Sequence, residues 1–265
     1  MQAELKVALV QTTLAWEDIA ANLQHFTALL ADVPPVDVIV LPEMFSTGFS
    51  MNTALAESMD GSAVTWMKDM AAKKKSVLCG SLMMVENGSF FNRFVWVTPA
   101  GSIAVYDKRH LFSLSKEQLY YTAGTQKLVI EYKGWKICPM ICYDLRFPAW
   151  SRNQSLYDVL LYVASWPQKR SLAWKALLPA RAIENQCYVI GVNRIGCDGS
   201  NVEHAGDSAL FSPLGDMLSA NIEDKECVTM VVLQASTIKD VRAKLPFLQD
   251  ADTFMISSTI ESKLD

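Results

Sequence analysis

Histidine is scarce in this chain, and no two cysteines stand as Cys-x-x-Cys. The three histidines, His25, His110 and His204, lie far apart and form no ligand cluster of the kind zinc requires, so no metal is expected. The six cysteines fall singly at positions 79, 138, 142, 187, 197 and 227. An even count speaks for disulfides only in a secreted context. The chain instead opens on a strand-like run, Leu5-Lys6-Val7-Ala8-Leu9-Val10, with no charged n-region or signal-like apolar core. Reduced thiols and a cytoplasmic location are expected. Basic charge is also lacking: 24 Lys and Arg face 28 Asp and Glu, a formal net charge of −4. That balance removes the electrostatic footprint of a nucleic-acid binder. No apolar run approaches the ~18–20 residues of a membrane span, so no membrane partner is expected.

What is present is a core. Hydrophobic residues make up 51% of 265, against 20% charged, which argues for a folded chain rather than disorder. Short β-branched runs predict strands over 7–10, 36–41, 76–84, 90–98, 103–107, 128–132, 135–141, 159–164, 187–192, 209–212 and 228–233. Helical patterns cover 18–30, 63–74, 149–155, 172–185 and 237–244, the last with Ser236 as its N-cap. Hairpin turns are expected at Asn87-Gly88 and Pro99-Ala100-Gly101. So many strands exceed one doubly wound sheet. Two sheets packed face to face with helices outside them fit better. No linker, repeat or low-complexity tract divides the chain, so one domain is expected.

Three strand ends carry chemistry. The run Trp135 to Ile141 delivers Cys142 to its carboxyl end, immediately before Tyr143-Asp144-Leu145-Arg146-Phe147-Pro148. Reacting groups in open α/β sheets sit just outside such ends. A free thiol has a pKa of ~8.5 and needs a base or a cation to act as a nucleophile at neutral pH. Glu43, after Val40-Leu41-Pro42, supplies a base; Lys108, after Val105-Tyr106-Asp107, supplies a cation for thiolate or oxyanion. The backbone N–H of Tyr143, next after the nucleophile, is a second oxyanion donor. Each residue taken singly also fits a plain reading: core thiol, solvated glutamate, charged turn. A Cys–His hydrolase using His110 is a rival arrangement, as is a non-catalytic scaffold that forms dimers.

Leu41-Pro42-Glu43, Tyr106-Asp107-Lys108-Arg109-His110-Leu111-Phe112 and Cys142-Tyr143-Asp144-Leu145-Arg146-Phe147-Pro148 resemble the three motif regions of the nitrilase superfamily of carbon–nitrogen hydrolases. The similarity runs from Val7 to about Phe254 and includes Ala180-Arg181-Ala182-Ile183-Glu184-Asn185-Gln186. It implies an α/β fold arranged as a four-layer α-β-β-α sandwich over a single domain, 1–265. It also implies a homodimer or higher homo-oligomer formed through a helical layer, with the segment from about 236 to 265 against the partner subunit. Glu43, Lys108 and Cys142 are then the catalytic set, working without metal or organic cofactor. Glu117, in Ser115-Lys116-Glu117-Gln118-Leu119, matches a second glutamate found in many members.

Within the superfamily the resemblance is strongest to the bacterial ω-amidase branch. It is carried by Phe45-Ser46-Thr47-Gly48-Phe49, Ala164-Ser165-Trp166-Pro167-Gln168-Lys169-Arg170 and Leu245-Pro246-Phe247-Leu248-Gln249-Asp250-Ala251-Asp252. That branch implies hydrolysis of the terminal amide of short 2-oxo dicarboxylate monoamides, 2-oxoglutaramate or 2-oxosuccinamate, a salvage or repair reaction. Arg146, Lys169 and Arg170 are candidates to hold the far carboxylate, and Phe49, Tyr143 and Trp166 to wall the pocket. A deaminated-glutathione amidase, a nitrilase and a carbamoylase are the alternatives within the superfamily.

Overall fold

Alternation along the strands decides the layering. In the computed structural model, which describes residues 1–219 and 224–256, one sheet has six strands. They are β1 (Glu4–Gln11), β2 (Val38–Val40), β3 (Val77–Glu86), β4 (Ser89–Val97), β5 (Ile103–Asp107) and, returning from late in the chain, β13 (Cys227–Gln234). Their order is β13-β1-β2-β3-β4-β5. Val7 and Leu9, Val38 and Val40, Val77 and Cys79, Phe94 and Trp96 turn to one core. Ala8 and Val10, Ile39, Leu78 and Leu82, Val95 and Val97 turn to a second core on the opposite face. Both faces are buried, so these strands read as unbroken apolar runs although each obeys the two-residue period of a pleat.

The second face is covered by α1 (Ile19–Leu29) and α2 (Ser62–Lys74), through Phe26, Leu30, Val64, Met67 and Met70. Asp18 caps α1 by accepting the Ala21 N–H at 2.9 Å. The first face meets the second sheet, built from β6 (Ile130–Tyr132), β7 (Trp135–Ile141), β8 (Val159–Ala164), β9 (Tyr188–Asn193) and β12 (Ala209–Phe211) in the order β12-β9-β8-β7-β6. β7, β8 and β9 are parallel, with Ile137 opposite Val159 and Val159 opposite Tyr188. On the outer side of this sheet α4 (Ser171–Asn185) lays Trp174, Leu178 and Ala182 into the same core. The result is the α-β-β-α sandwich.

All eleven expected strands and both hairpin turns are present; Asn87 and Gly88 carry φ of 50° and 76°, as a tight two-residue hairpin requires. Two expectations are corrected, and one element is new. The helix expected over 149–155 is only one turn, α3 (Pro148–Ser151). Arg152 leaves in an extended conformation, and the Asn153 amide turns the chain by bonding the Tyr157 and Asn185 backbones. Ser236 does not cap the last helix: α5 (Ala235–Lys244) begins directly after β13, with Gln234 at its N-cap. Gln234 still belongs to the ladder, opposite Glu4, so the strand runs straight into the helix. A small hairpin, β10 (Ile195–Cys197) with β11 (Glu203–Ala205), was not expected at all. Residues 257–265 of the C-terminal segment lie outside the described residues. Among the described residues no helix is long and apolar enough to cross a membrane.

Gly124 shows how tightly the sheet end is assembled. Its N–H donates to the Lys108 carbonyl at 2.9 Å, and a Cβ built there would stand 2.1 Å from the Asp107 carbonyl oxygen. Backbone cannot step aside as a side chain can. Gly124→Ala is therefore expected to cost about 1–3 kcal/mol, seen as a lower urea midpoint at unchanged slope. An unchanged midpoint would show that the segment bearing Lys108 moves freely.

Candidate active site

Four strand ends bring their next residues together. β2 continues through Leu41 and Pro42 to Glu43; β5 ends one residue before Lys108; β7 ends at Ile141, before Cys142; and β8 ends at Ala164, before Ser165. The joint between the two sheets is polar and specific. The Ser165 N–H donates to Glu43 Oε2 at 2.8 Å, and the Glu43 N–H reaches the Ala164 carbonyl at 3.5 Å.

Glu43, Lys108 and Glu117 are fully buried. The Lys108 ammonium donates to Glu43 Oε1 at 2.9 Å and to both Glu117 oxygens at 3.1 and 3.0 Å. Three carboxylate oxygens thus face its three hydrogens. Phe49 lies over the same nitrogen, 5.0 Å from ring centroid to Nζ. Burial works against the charge on Lys108, but Glu117 and Glu43 outweigh it and hold the pKa above the ordinary lysine value. Burial pushes Glu117 up, opposed by Lys108 and reinforced by Glu43. The Phe112 N–H also serves Glu117, at 2.5 Å. Asn92 donates to Glu43 Oε1 at 2.8 Å and to Glu117 Oε1 at 3.3 Å.

Cys142 opens a single 3-10 turn, Cys142–Arg146, and has φ of 44°. A cysteine gains nothing from the left-handed region and holds it only where its surroundings impose it. Asp144 imposes it here. Its buried carboxylate accepts the Ile141 N–H at 3.1 Å, the Tyr106 hydroxyl at 2.7 Å and the His110 N–H at 2.9 Å. It therefore ties the turn after β7 to the residues on either side of Lys108. Cys142 packs half-buried at the floor of the cleft, which Glu43 and Lys108 also line. Burial first, then the Glu43 carboxylate, push the thiol pKa well above its usual value, while Lys108 pulls the other way. The resting group is a thiol.

Above it lies a cleft lined by Glu43, Lys108 and Cys142 and walled by Phe49, Phe112, Tyr143 and Trp166. Aromatic walls with a few converging polar groups are the make-up of a small-molecule site. Arg146 and Arg170 also line it, their guanidiniums lying 4.9 Å from the Trp166 ring and 5.1 Å from the Phe112 ring. Lys169, expected beside them, is exposed and does not line the cleft. It shares the tight turn Gln168–Arg170 with Arg170, and consecutive residues of such a turn face different ways. His110, needed for a Cys–His arrangement, bonds Asp144 through Nδ1 at 2.8 Å and stacks on Phe147 at 3.7 Å, outside the cleft lining.

Several lining groups had no signal in the sequence. Asp198, Val202 and His204 come from the unexpected β10–β11 hairpin. Burial and the nearby Arg194 charge push the His204 imidazole below its ordinary pKa, so it is neutral. Ser165 acts at Glu43 through a backbone N–H, which any residue but proline would supply. Asn92 sits inside a strand, where its polarity among Phe90, Phe91 and Phe94 was the one available hint.

The profile of the carbon-nitrogen hydrolase family matches residues 6–243. The omega-amidase YafV of Escherichia coli (strain K12) is 44% identical over 252 residues, 95% of this chain and 98% of that protein. The 2-oxoglutaramate amidase of Bacillus subtilis (strain 168) is 38% identical over 81% of this chain and 84% of that one. The crystal structure of XC1258 from Xanthomonas campestris, a CN-hydrolase superfamily protein with an arsenic adduct in its active site, superposes with a TM-score of 0.93. It is 41% identical, covering 96% of this chain and 99% of that one. A family match over nearly the whole length, with close relatives spanning both partners end to end, makes this chain a member of the carbon-nitrogen hydrolase family.

Proposed function

We propose that the protein is an ω-amidase that hydrolyses the terminal amide of 2-oxoglutaramate, and of close analogues such as 2-oxosuccinamate, to the dicarboxylate and ammonia. The observation that carries this is the meeting of Glu43, Lys108 and Cys142 at the floor of a short cleft whose walls bear two guanidiniums. A substrate with an amide at one end and a carboxylate at the other spans such a cleft. The relatives named omega-amidase and 2-oxoglutaramate amidase support the same substrate class.

Glu43 takes the Cys142 proton as sulfur attacks the amide carbon, forming the C–S bond. The oxyanion is held by Lys108 and by the Tyr143 N–H. Glu43 returns the proton to the departing nitrogen, the C–N bond breaks and ammonia leaves a thioester. Water then attacks that thioester as Glu43 accepts its proton; the C–S bond breaks and the thiol is restored. This is covalent catalysis in two easier steps. Glu117 holds Lys108 in place and keeps it charged. Arg146 and Arg170 bind the far carboxylate, and Phe49, Tyr143 and Trp166 confine the chain between the two ends. We further propose that residues 1–265 work as one hydrolase domain, as a cytoplasmic homodimer with the segment from 236 against its partner.

Ammonia release from 2-oxoglutaramate, with deaminated glutathione, L-glutamine and an aliphatic nitrile in parallel, tests the reading. Turnover is expected to be highest on 2-oxoglutaramate and absent in Cys142→Ala; stronger turnover of another compound discards the substrate assignment. Lys108→Ala is expected to lower kcat about 10²–10³-fold, the usual loss of an oxyanion donor. A change confined to KM would make Lys108 a binding residue. Arg170→Ala and Arg146→Ala are expected to raise KM about tenfold or more, since each removes a hydrogen bond to a charged group. An unchanged KM in both would place the carboxylate elsewhere.

A further inference from the structure

Polar groups buried on the strands behind the cleft form one chain of hydrogen bonds. The Met44 N–H donates to Ser81 Oγ at 2.9 Å, and the Ser81 hydroxyl donates to Asn92 Oδ1 at 2.9 Å. The Asn92 Nδ2 group then donates to Glu43 Oε1 at 2.8 Å and to Glu117 Oε1 at 3.3 Å. The Asn92 carbonyl also accepts the Lys108 N–H at 2.9 Å. Asn92 therefore bonds both carboxylates and the backbone of Lys108 but does not line the cleft. Chemistry fixes the orientation of its amide. Reversed, Oδ1 would face two carboxylate oxygens, acceptor against acceptors.

The charge balance shows what this accomplishes. Two buried carboxylates share one ammonium, and the thiol adds no compensating charge. Like-charged carboxylates in one dry site drive each other toward the protonated form, and burial already pushes Glu117 that way. A neutral amide with both hydrogens committed, one to each carboxylate, opposes that drift. The other groups facing the carboxylates are Lys108 from the end of β5, the Phe112 N–H from the loop after it, the Cys142 thiol from the end of β7, the Ser165 N–H from the end of β8 and the Tyr121 phenol. Burial and Glu117 push Tyr121 up, so it stays neutral. We infer that Asn92, pinned by Ser81, is a positioning residue that keeps Glu43 and Glu117 ionised together around Lys108. It thereby sets how far the pH can fall before Glu43 no longer takes the Cys142 proton.

The inference rests on Glu43 being the base for Cys142 but not on any substrate, so its test uses none. The probe is iodoacetamide, with the alkylation rate of the Cys142 peptide followed by mass spectrometry through the carboxylate titration range. The rate in the unaltered protein is expected to fall on the acid side. In Asn92→Leu, which keeps the volume and removes the donors, the midpoint of that fall is expected to move up by about 1–2 pH units, the worth of one hydrogen bond to a charged group. Ser81→Ala, which leaves Asn92 present but unpins its amide, should shift it less and in the same direction. A folded Asn92→Leu protein with an unmoved midpoint overturns the inference, whatever its absolute rate. Should Asn92→Leu fail to fold by circular dichroism, an unmoved midpoint in Ser81→Ala overturns it instead. Glu43→Gln separates the two ideas: alkylation as fast as in the unaltered protein would remove the base role of Glu43 itself.

Discussion

The rest of the site depends on one buried ion cluster, the Lys108 ammonium between the carboxylates of Glu43 and Glu117. Taking each such ion out of water costs several kcal/mol, and the cost is offset only where geometry is good and every remaining lone pair is served. Here it is served: Ser165 and Phe112 donate from the backbone, Asn92 from a side chain. The partners come from the ends of β2 and β5 and the interior of β4 on one sheet, from the end of β8 on the other, and from the loop that carries Phe112 and Glu117. The cluster therefore forms only when both sheets are in register. Ion pairing and sandwich assembly are one event.

That dependence explains where backbone strain is tolerated. Met44 and Cys142 both have φ of 44°, and a left-handed conformation costs a residue with a side chain roughly 1–2 kcal/mol. Each lies immediately beside a site group and each is held by a buried polar side chain. Ser81 takes the Met44 N–H, and the four donors gathered by Asp144 fix the turn that Cys142 opens. The strained turn keeps the thiol next to Glu43 instead of continuing the strand.

The elements were readable because burial writes them into the chain. Runs such as Val159 to Ala164 and Tyr188 to Asn193 are apolar on both faces and bounded by polar turns, and they fold where expected. Glu43, Lys108 and Cys142 were marked out by position, since each follows such a run, and singled out by the motifs that resemble the nitrilase superfamily. What escaped reading is what only the assembled fold creates. Ile195 to Ala205 is short and polar, with no pattern long enough to mark the hairpin that carries Asp198 and His204 to the cleft. Asn92 gains its meaning from carboxylates 49 and 25 residues away. Lys169 and Arg170 are adjacent and chemically alike, and only the turn that carries them decides which one faces the cleft. Ser236 had the right chemistry for a cap, but the ladder of β13 claimed the residue before the helix.

In the proposed mechanism, a thiol held neutral beside Glu43 has consequences for when the chemistry starts. Thiolate nucleophiles elsewhere are prepared in advance by positive surroundings; here Glu43 and burial together oppose the thiolate, and Lys108 only partly compensates. Deprotonation becomes favourable when negative charge has somewhere better to go, which is the carbonyl oxygen of a bound amide facing Lys108 and Tyr143. Proton transfer and C–S bond formation are then coupled by electrostatics. The unliganded enzyme keeps its sulfur in the less reactive form. A cleft closed by aromatic walls strengthens that coupling, because excluding water raises the worth of every charge–dipole contact within it. The cluster that makes the core costly to assemble is thus the same one that ties the reactivity of Cys142 to the presence of substrate.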